Sequence, residues 1–323
     1  MAKVIRIERT GGPEVMQLVD VAIGAPGPGE ARLRQTAIGV DFVDVYHRTG
    51  LYALALPTGL GVEAVGMVEA IGRDVGHVRP GDRVAYIAGP GAYATARVVP
   101  ADRLVRLPDS IDDRTAAGAW LKGITAGALV LRTYPVEAGE TVLVHAAAGG
   151  VGLILCQWLN ALGATVIGVV STDLKAAVAK AHGCHHVVVS SREDFVARVR
   201  ELTGGAGVPV VYDSVGKATF EGSLDCLQPL GTMVTFGNAS GPVPPVDVGV
   251  LGRKGSLFLT RPSVFQYIAR REDLERYAGA LLDVIGRGKV KVEVTRTFAL
   301  AEAAEAHRAL EGRGTTGSLV LIP

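Results

Sequence analysis

The sequence predicts an α/β fold in which a doubly wound, six-stranded parallel sheet is joined to a compact β-barrel-like domain. Three observations carry this. The run Thr141-Val-Leu-Val-His145 breaks into Ala147-x-Gly149-x-x-Gly152 and continues as the apolar stretch Leu153 to Leu162. That order is a buried strand, a glycine turn and a helix. From there, β-like and helical segments alternate, as they do in a parallel sheet with crossover helices. Before about residue 120 the chain holds only short β-like segments broken by glycine and proline, the pattern of a compact β domain.

Each element has its own signal. Val4-Ile-Arg-Ile7 is strand-like, and Ala31-Arg-Leu-Arg-Gln-Thr-Ala37 alternates as a half-buried strand does. Gly59 to Gly72 is glycine-rich with a strand-like second half, and Pro80-Gly-Asp-Arg-Val-Ala-Tyr86 reads as a turn and a strand. Thr115 to Arg132, rich in alanine and closed by Pro135, predicts a bridging helix. Strands are then expected at 141–145, 165–170, 185–190, 208–212, 231–236 and 255–260. Helices are expected at 150–162, 173–182, 192–203 and 217–228. Six strands is the count of a full dinucleotide-binding sheet. After Pro262, a helix over Glu272–Arg287, a strand over Val290–Phe298, a helix over Ala301–Leu310 and the strand-like Ser318–Ile322 suit the first domain. The expected domains are 1–122, completed by 268–323, around a nucleotide domain at 123–267.

Composition narrows the function classes. A chain of 323 residues, 48% hydrophobic and 20% charged, with 42 glycines, is globular and turn-rich. A net charge of +1 without a basic block removes the electrostatic case for nucleic acid or an anionic membrane. Cys156, Cys184 and Cys226 are far apart with no CxxC, which argues against a disulfide framework or a zinc knuckle. Cys156, inside an apolar helical run, reads as core. The N-terminus shows no signal-peptide pattern and no apolar run reaches membrane-spanning length, so a soluble cytoplasmic protein is expected.

The glycine turn points to a dinucleotide. Backbone at Gly149, Gly150 and Val151 can approach a pyrophosphate closely, and the helix that follows offers unpaired N–H groups. An NAD site places an acid after the second strand, whereas this chain has Ser171-Thr172 and then Lys175, groups that attract a 2′-phosphate. NADPH is therefore the expected cofactor. Asp173 stands beside them and is expected to cap the next helix. Asn238 follows the fifth sheet strand, at the carboxyl ends where ligands sit in such sheets.

The run Gly139-Glu-x-Val-Leu-Val-His-Ala-Ala-Ala-Gly-Gly-Val-Gly-x4-Gln157 closely resembles a family signature. So do Val40-Asp-Phe-Val-Asp-Val-Tyr-His-Arg-Thr-Gly-Leu-Tyr52, Tyr212-Asp-Ser-Val-Gly216, Phe236-Gly-Asn-Ala-Ser-Gly241 and Gly255-Ser-Leu-x-x-Thr-Arg-Pro-Ser263. Together they resemble the quinone oxidoreductase (zeta-crystallin-like) family of the medium-chain dehydrogenase/reductase superfamily, above all its bacterial NADPH:quinone reductase branch. The resemblance implies a GroES-like barrel, a Rossmann domain, an active-site cleft between them and a homodimer joined through the last sheet strand. It implies NADPH-dependent reduction of quinones, with conjugated enones or alkenals as alternative acceptors. Some relatives are lens crystallins or bind nucleic acid; near-neutral charge and the glycine turn argue against that non-enzymatic alternative. By family position Asp41, Phe42, Tyr46, Thr125, Phe236, Asn238, Pro262, Ser263 and Arg313 lie beside the cofactor. Tyr46 and Tyr52 are the substrate-side candidates, without a firm acid or base, and Arg48 between them reads equally as a surface charge.

The chain departs from the family at Asp41 (usually Asn), Val62 (usually Thr), Ser190 (a Tyr near the adenosine) and Asn160 (usually basic). Zinc alcohol dehydrogenases, which share the architecture, place Cys at the position of Asp41, His at Val62 and Cys near Leu121. Valine and leucine cannot ligate zinc, so a zinc-independent enzyme is expected. His185-His186 reads as a surface pair. Two readings of Asp41 stand open: it faces the cofactor and imitates Asn when protonated, unless Arg48 or a backbone donor offsets the cost of its charge, or it turns away into a local hydrogen bond.

Overall fold

The computed structural model describes Met1–Pro323 throughout. The chain divides into two compact units. The first comprises Met1–Lys122, Arg270–Gly279 and Val292–Pro323; the second comprises Gly123–Ala269 and Ala280–Lys291.

In the first unit, β1 (Ala2–Ile7) pairs antiparallel with β2 (Gln17–Val21). The long β3 (Glu30–Val40) then runs directly into α1 (Phe42–Thr49), and β4 (Thr58–Gly59) rejoins β1. Strands β5 (Glu63–Ile71) and β7 (Ala96–Pro100) pair antiparallel with β3. Between and after them, β6 (Arg83–Ile87) pairs with β5, and β8 (Leu104–Arg106) with β6. Alternation along β3 turns Ala31 and Leu33 into the core with Ile5, Ile7, Val84, Tyr86 and Tyr93.

The bridging helix α2 (Asp113–Ala128) ends in a wider π-type turn, Leu129–Thr133, where a plain helix to Arg132 was expected. The second unit then alternates strand and helix: β9 (Thr141–His145), α3 (Gly150–Ala161), β10 (Thr165–Val170), α4 (Asp173–Ala181), β11 (His186–Val189) and α5 (Phe195–Leu202). It continues with β12 (Val208–Asp213), α6 (Phe220–Cys226), β13 (Leu227–Thr235), α7 (Gly249–Arg253), β14 (Phe258–Thr260) and α8 (Val264–Tyr267). All six strands are parallel, in the order β11-β10-β9-β12-β13-β14. Strand order reverses between β9 and β12, which makes their carboxyl ends the topological switch point. β14 is shorter than the expected 255–260, because Gly255 (φ 112°) and Ser256 (φ 56°) are left-handed and cannot extend the ladder.

The chain closes with α9 (Arg271–Gly286), β15 (Val294–Ala299), α10 (Ala303–Glu311) and β16 (Ser318–Ile322). β16 pairs with β3 and adds Leu319 and Leu321 to the first core. Residues 280–291 do not return with this tail, contrary to the expected 268–323 segment. Gly123 leaves room for Leu281, whose Cδ1 lies 2.3 Å from where a Cβ would stand. The Gln157 side chain brackets Lys291, donating to its carbonyl at 3.0 Å and accepting its N–H at 2.8 Å.

Candidate active site

In the first unit the substrate-side candidates lie on or beside α1. Gly50 (φ 82°) ends the helix, and the chain folds back so that the Tyr52 N–H donates to the Tyr46 carbonyl at 3.0 Å. Tyr46 is buried, with its ring 5.2 Å from that of half-exposed Tyr52 and 6.0 Å from Phe42. Arg313, in the exposed turn after α10, adopts a left-handed φ of 54°.

Asp41 meets a partner that neither reading made from the sequence named. It is buried, and its Oδ1 lies 2.8 Å from the ammonium of Lys122. Lys122 is buried too and reaches Glu63 Oε1 at 3.6 Å, while Glu63 Oε2 accepts the Leu121 N–H at 2.6 Å. Gly39 is required beneath this cluster, since a Cβ there would collide with Glu63 Oε1. Burial, then the Asp41 charge, holds the Glu63 carboxyl well above its usual range. Burial opposes the charge of Lys122, but Asp41 and Glu63 outweigh it and leave its pKa raised. Nothing in the sequence spacing announced Lys122; it looked like one more helix residue.

Arg48 is also corrected. It is 1% exposed, not a surface charge, and its guanidinium forks onto Glu311 at 2.8 and 2.9 Å. It serves Glu311 rather than Asp41. The Asp41 N–H donates to Asp44 Oδ2 at 3.0 Å, the return half of a capping box. Burial and the neighbouring Asp41 push Asp44 up to about 8.

In the second unit the glycine turn sits at the switch point. Gly149 caps α3 without a side-chain partner, and Ala146 before it is left-handed (φ 50°). A Cβ on Gly152 would fall 2.2 Å from the Ala146 carbonyl oxygen, and one on Gly149 3.2 Å from it. The fingerprint's first glycine is Ala147, and Gly168 of β10 makes room for it: a Cβ on Gly168 would stand 2.8 Å from the Ala147 methyl. Ser171 follows β10 in an exposed position. The cap of α4 is Thr172, whose hydroxyl accepts the Lys175 N–H at 3.3 Å, and not Asp173 as expected. Asp173 instead pairs with Arg192 at 2.9 Å. Arg192 is thus a second basic group at this turn, overlooked because it belongs to the loop after β11. Ser190, in the same loop, donates to the Val170 carbonyl through backbone and hydroxyl.

A buried polar lock orders the adjacent loops. Asp213 Oδ1 accepts the N–H groups of Val215 (2.7 Å) and Gly216 (3.1 Å), and Oδ2 accepts Thr219 Oγ1 (2.7 Å) and Ser223 Oγ (3.3 Å). His145 Nε2 meets Ser223 Oγ at 2.9 Å, and burial lowers the imidazole's pKa. On the turn so fixed rests the next one: Phe236 N–H donates to Asp213 O, and a Cβ on Gly237 would lie 2.3 Å from Ser214 O. With its amide turned so that both of its groups find partners, Asn238, from that turn, accepts from Arg261 Nη2 at 3.0 Å, which ties it to the segment holding Pro262 and Ser263. Thr125 lies in the same unit, half-buried on α2. His145, Asp213 and Ser223 escaped the sequence reading because their partners are far apart in the chain. His185 and His186 are both exposed, as the surface-pair reading expects, and His185 Nδ1 accepts the Val166 N–H at 3.0 Å.

Two family models match this chain: the alcohol dehydrogenase GroES-like domain over residues 27–109 and the zinc-binding dehydrogenase over 150–283. A quinone oxidoreductase of Pseudomonas aeruginosa is 51% identical over the whole of both chains. A 2-haloacrylate reductase of a Burkholderia species is 46% identical, with 98% of each chain covered. Among solved structures, the Escherichia coli quinone oxidoreductase complexed with NADPH superposes with a TM-score of 0.98 at 46% identity, covering 99% of this chain and all of that one.

Proposed function

The chain belongs to the quinone oxidoreductase family, and from that premise we propose that it is a zinc-independent enzyme that reduces quinones with NADPH. One observation carries the reading: the Gly149–Gly152 turn at the switch point is too tight for a Cβ at Gly152 and runs into α3 with no side chain capping it, an N-terminus suited to a pyrophosphate. Bound NADPH supplies a hydride, and the quinone, already able to delocalise the charge it gains, needs little more than orientation.

The residues then divide by task. Backbone at Gly149, Gly150 and Val151 would hold the pyrophosphate. Ser171 and Lys175, with Arg192, suit a 2′-phosphate, and the carboxylate between Ser171 and Lys175 in the chain, Asp173, is held by Arg192. Phe236, Asn238, Pro262 and Ser263 line the nicotinamide end from the interlocked loops after β13 and β14, with Thr125, Asp41, Phe42 and Arg313 as further cofactor contacts. Tyr46 and Tyr52 offer an aromatic face and a hydroxyl to the acceptor.

Zinc does not fit this chain. Val62 and Leu121 are buried apolar groups, and the cation between Asp41 and Glu63 is the protein's own Lys122. Elemental analysis should find no stoichiometric zinc, and chelators should leave turnover unchanged; one zinc per chain would refute this. The enzyme works as a cytoplasmic homodimer in this reading. The dimer forms at the open edge strand β14, where Phe258 is 60% exposed.

A second acceptor class has a specific observation in its favour, the 46% identity to a 2-haloacrylate reductase. Comparing kcat/KM for a quinone, a conjugated enone and a 2-haloacrylate at saturating NADPH separates the two. Quinones should lead; a haloacrylate turned over faster than every quinone would overturn the assignment.

A further inference from the structure

The guanidinium of Arg48 is the hub of a buried polar chain. Its Nε donates to the Gly11 carbonyl at 3.1 Å, and the Gly11 N–H returns a bond of 3.1 Å to the Arg48 carbonyl. Its two Nη atoms grip both oxygens of Glu311, at the end of α10, and Nη1 lies 3.2 Å from His307 Nδ1. Arginine can only donate, so His307 Nδ1 accepts and the ring proton sits on Nε2. Nε2–H then donates to the Tyr93 hydroxyl at 3.0 Å, and Tyr93 donates to Asp44 Oδ2 at 3.0 Å. Burial and Arg48 push His307 down to about 3, which agrees with a neutral ring.

This chain grips α1 at Asp44 and Arg48, one helical turn apart on one face. Phe42 and Tyr46 are likewise one turn apart, offset from the first pair by two residues, hence by roughly 200° around the helix at 3.6 residues per turn. The buried polar stripe and the aromatic stripe are therefore on opposite faces. An ion pair that buries one partner, as Arg48 is buried here, is a poor source of net stability compared with apolar packing, and its better-attested use is to fix one arrangement.

We propose that Arg48, with His307 and Glu311, is a positioning residue for the substrate-side pair Tyr46 and Tyr52: it fixes the rotation of α1 and so the direction in which the aromatic stripe meets the acceptor. The proposal rests on the quinone reductase reading. Glu311 is partly exposed, so Glu311→Gln loosens the grip without leaving a cavity, and Arg48→Lys keeps the charge but loses the fork.

The test measures both variants by steady-state kinetics with 1,4-benzoquinone, by NADPH dissociation constant, and by the ¹⁹F resonance of 3-fluorotyrosine at position 46. A misplacement of about 1 Å can cost a hundredfold, so a partial loss of grip should lower kcat/KM for the quinone about tenfold. The NADPH dissociation constant should rise much less, by no more than about threefold, since of the proposed cofactor contacts only Asp41 and Phe42 lie on or beside α1, and the Tyr46 resonance should shift or broaden. Quinone and NADPH parameters that fall together, or both stay unchanged while only the melting temperature drops, would overturn the proposal. Wild-type protein that turns over no quinone would refute the parent reading alone, since the fluorine signal reports on Tyr46 without turnover. An unmoved resonance in both variants sinks the positioning role.

Discussion

Gly152→Ala is the sharpest perturbation of the nucleotide turn. The new methyl would stand 2.2 Å from the Ala146 carbonyl oxygen and 2.9 Å from the Ala147 carbonyl carbon and Cα. Ordinary carbon contacts lie near 3.5 Å, so the Ala146 carbonyl must retreat by about 1 Å. Ala146 has little slack for this, because its left-handed φ of 50° already costs about 1–2 kcal/mol. Overpacking of this kind costs roughly 1–3 kcal/mol, below the 5–15 kcal/mol that holds a domain together, so the variant should fold. The displaced turn re-aims the N–H groups of α3, and a hydrogen bond to a charged group is worth about 1.5–3 kcal/mol. The NADPH dissociation constant should therefore rise about 10- to 100-fold. Melting should drop by about 2–4 °C per kcal/mol lost. Gly279→Ala, on α9 with open space around its Cβ position, is the control and should be neutral or slightly stabilising. Titration of NADPH by its fluorescence, beside a thermal melt, reads both effects. A Gly152→Ala protein that binds NADPH within twofold of wild type would refute the reasoning.

Other consequences follow from named residues. Lys175→Ala should erase most of the preference for NADPH over NADH, a loss of about tenfold or more for a charge-assisted phosphate contact, measured as the ratio of dissociation constants. Equal affinities for both cofactors in the unaltered protein would dispose of this idea. The folded Asp44 has its pKa raised from 3.8 to about 8, so between those values the native state binds more protons than the unfolded one. Its contribution to stability is thus full below about pH 4 and is lost as pH climbs through 8. Asp44→Asn should flatten that decline in denaturant midpoints, and an identical slope in both proteins would count against it. Phe258→Asp at the β14 edge should shift sedimentation from dimer toward monomer; a wild type that sediments only as monomer at micromolar concentration contradicts the dimer.

Much of this was legible in the chain because local pattern and tertiary outcome agree. The run 141–152 encodes its strand, turn and helix in consecutive residues, and β9, β10 and β16 fall where their apolar patterns end. The glycine turn was readable even without its first glycine, but the compensating Gly168 lies a strand away and could be recognised only in three dimensions. The charged residues were the least legible. Arg48 and Lys122 look like ordinary helix cations, and only partners distant in sequence, Glu311 in one case and Asp41 and Glu63 in the other, account for their burial. The same distance hid the His145–Ser223–Asp213 lock. Asp173 shows the reverse: a residue type that favours caps was outcompeted by its neighbour Thr172 and took an ion pair instead.

The central claim is that this chain transfers a hydride from NADPH to a quinone, and it is tested most directly by following NADPH absorbance on addition of 1,4-benzoquinone, with NADPH and its 4-deuterated forms compared. Quinone-dependent oxidation of one NADPH per quinone is expected, slowed by deuterium on one face of the nicotinamide only. NADPH that binds yet stays unoxidised with every quinone offered would contradict it.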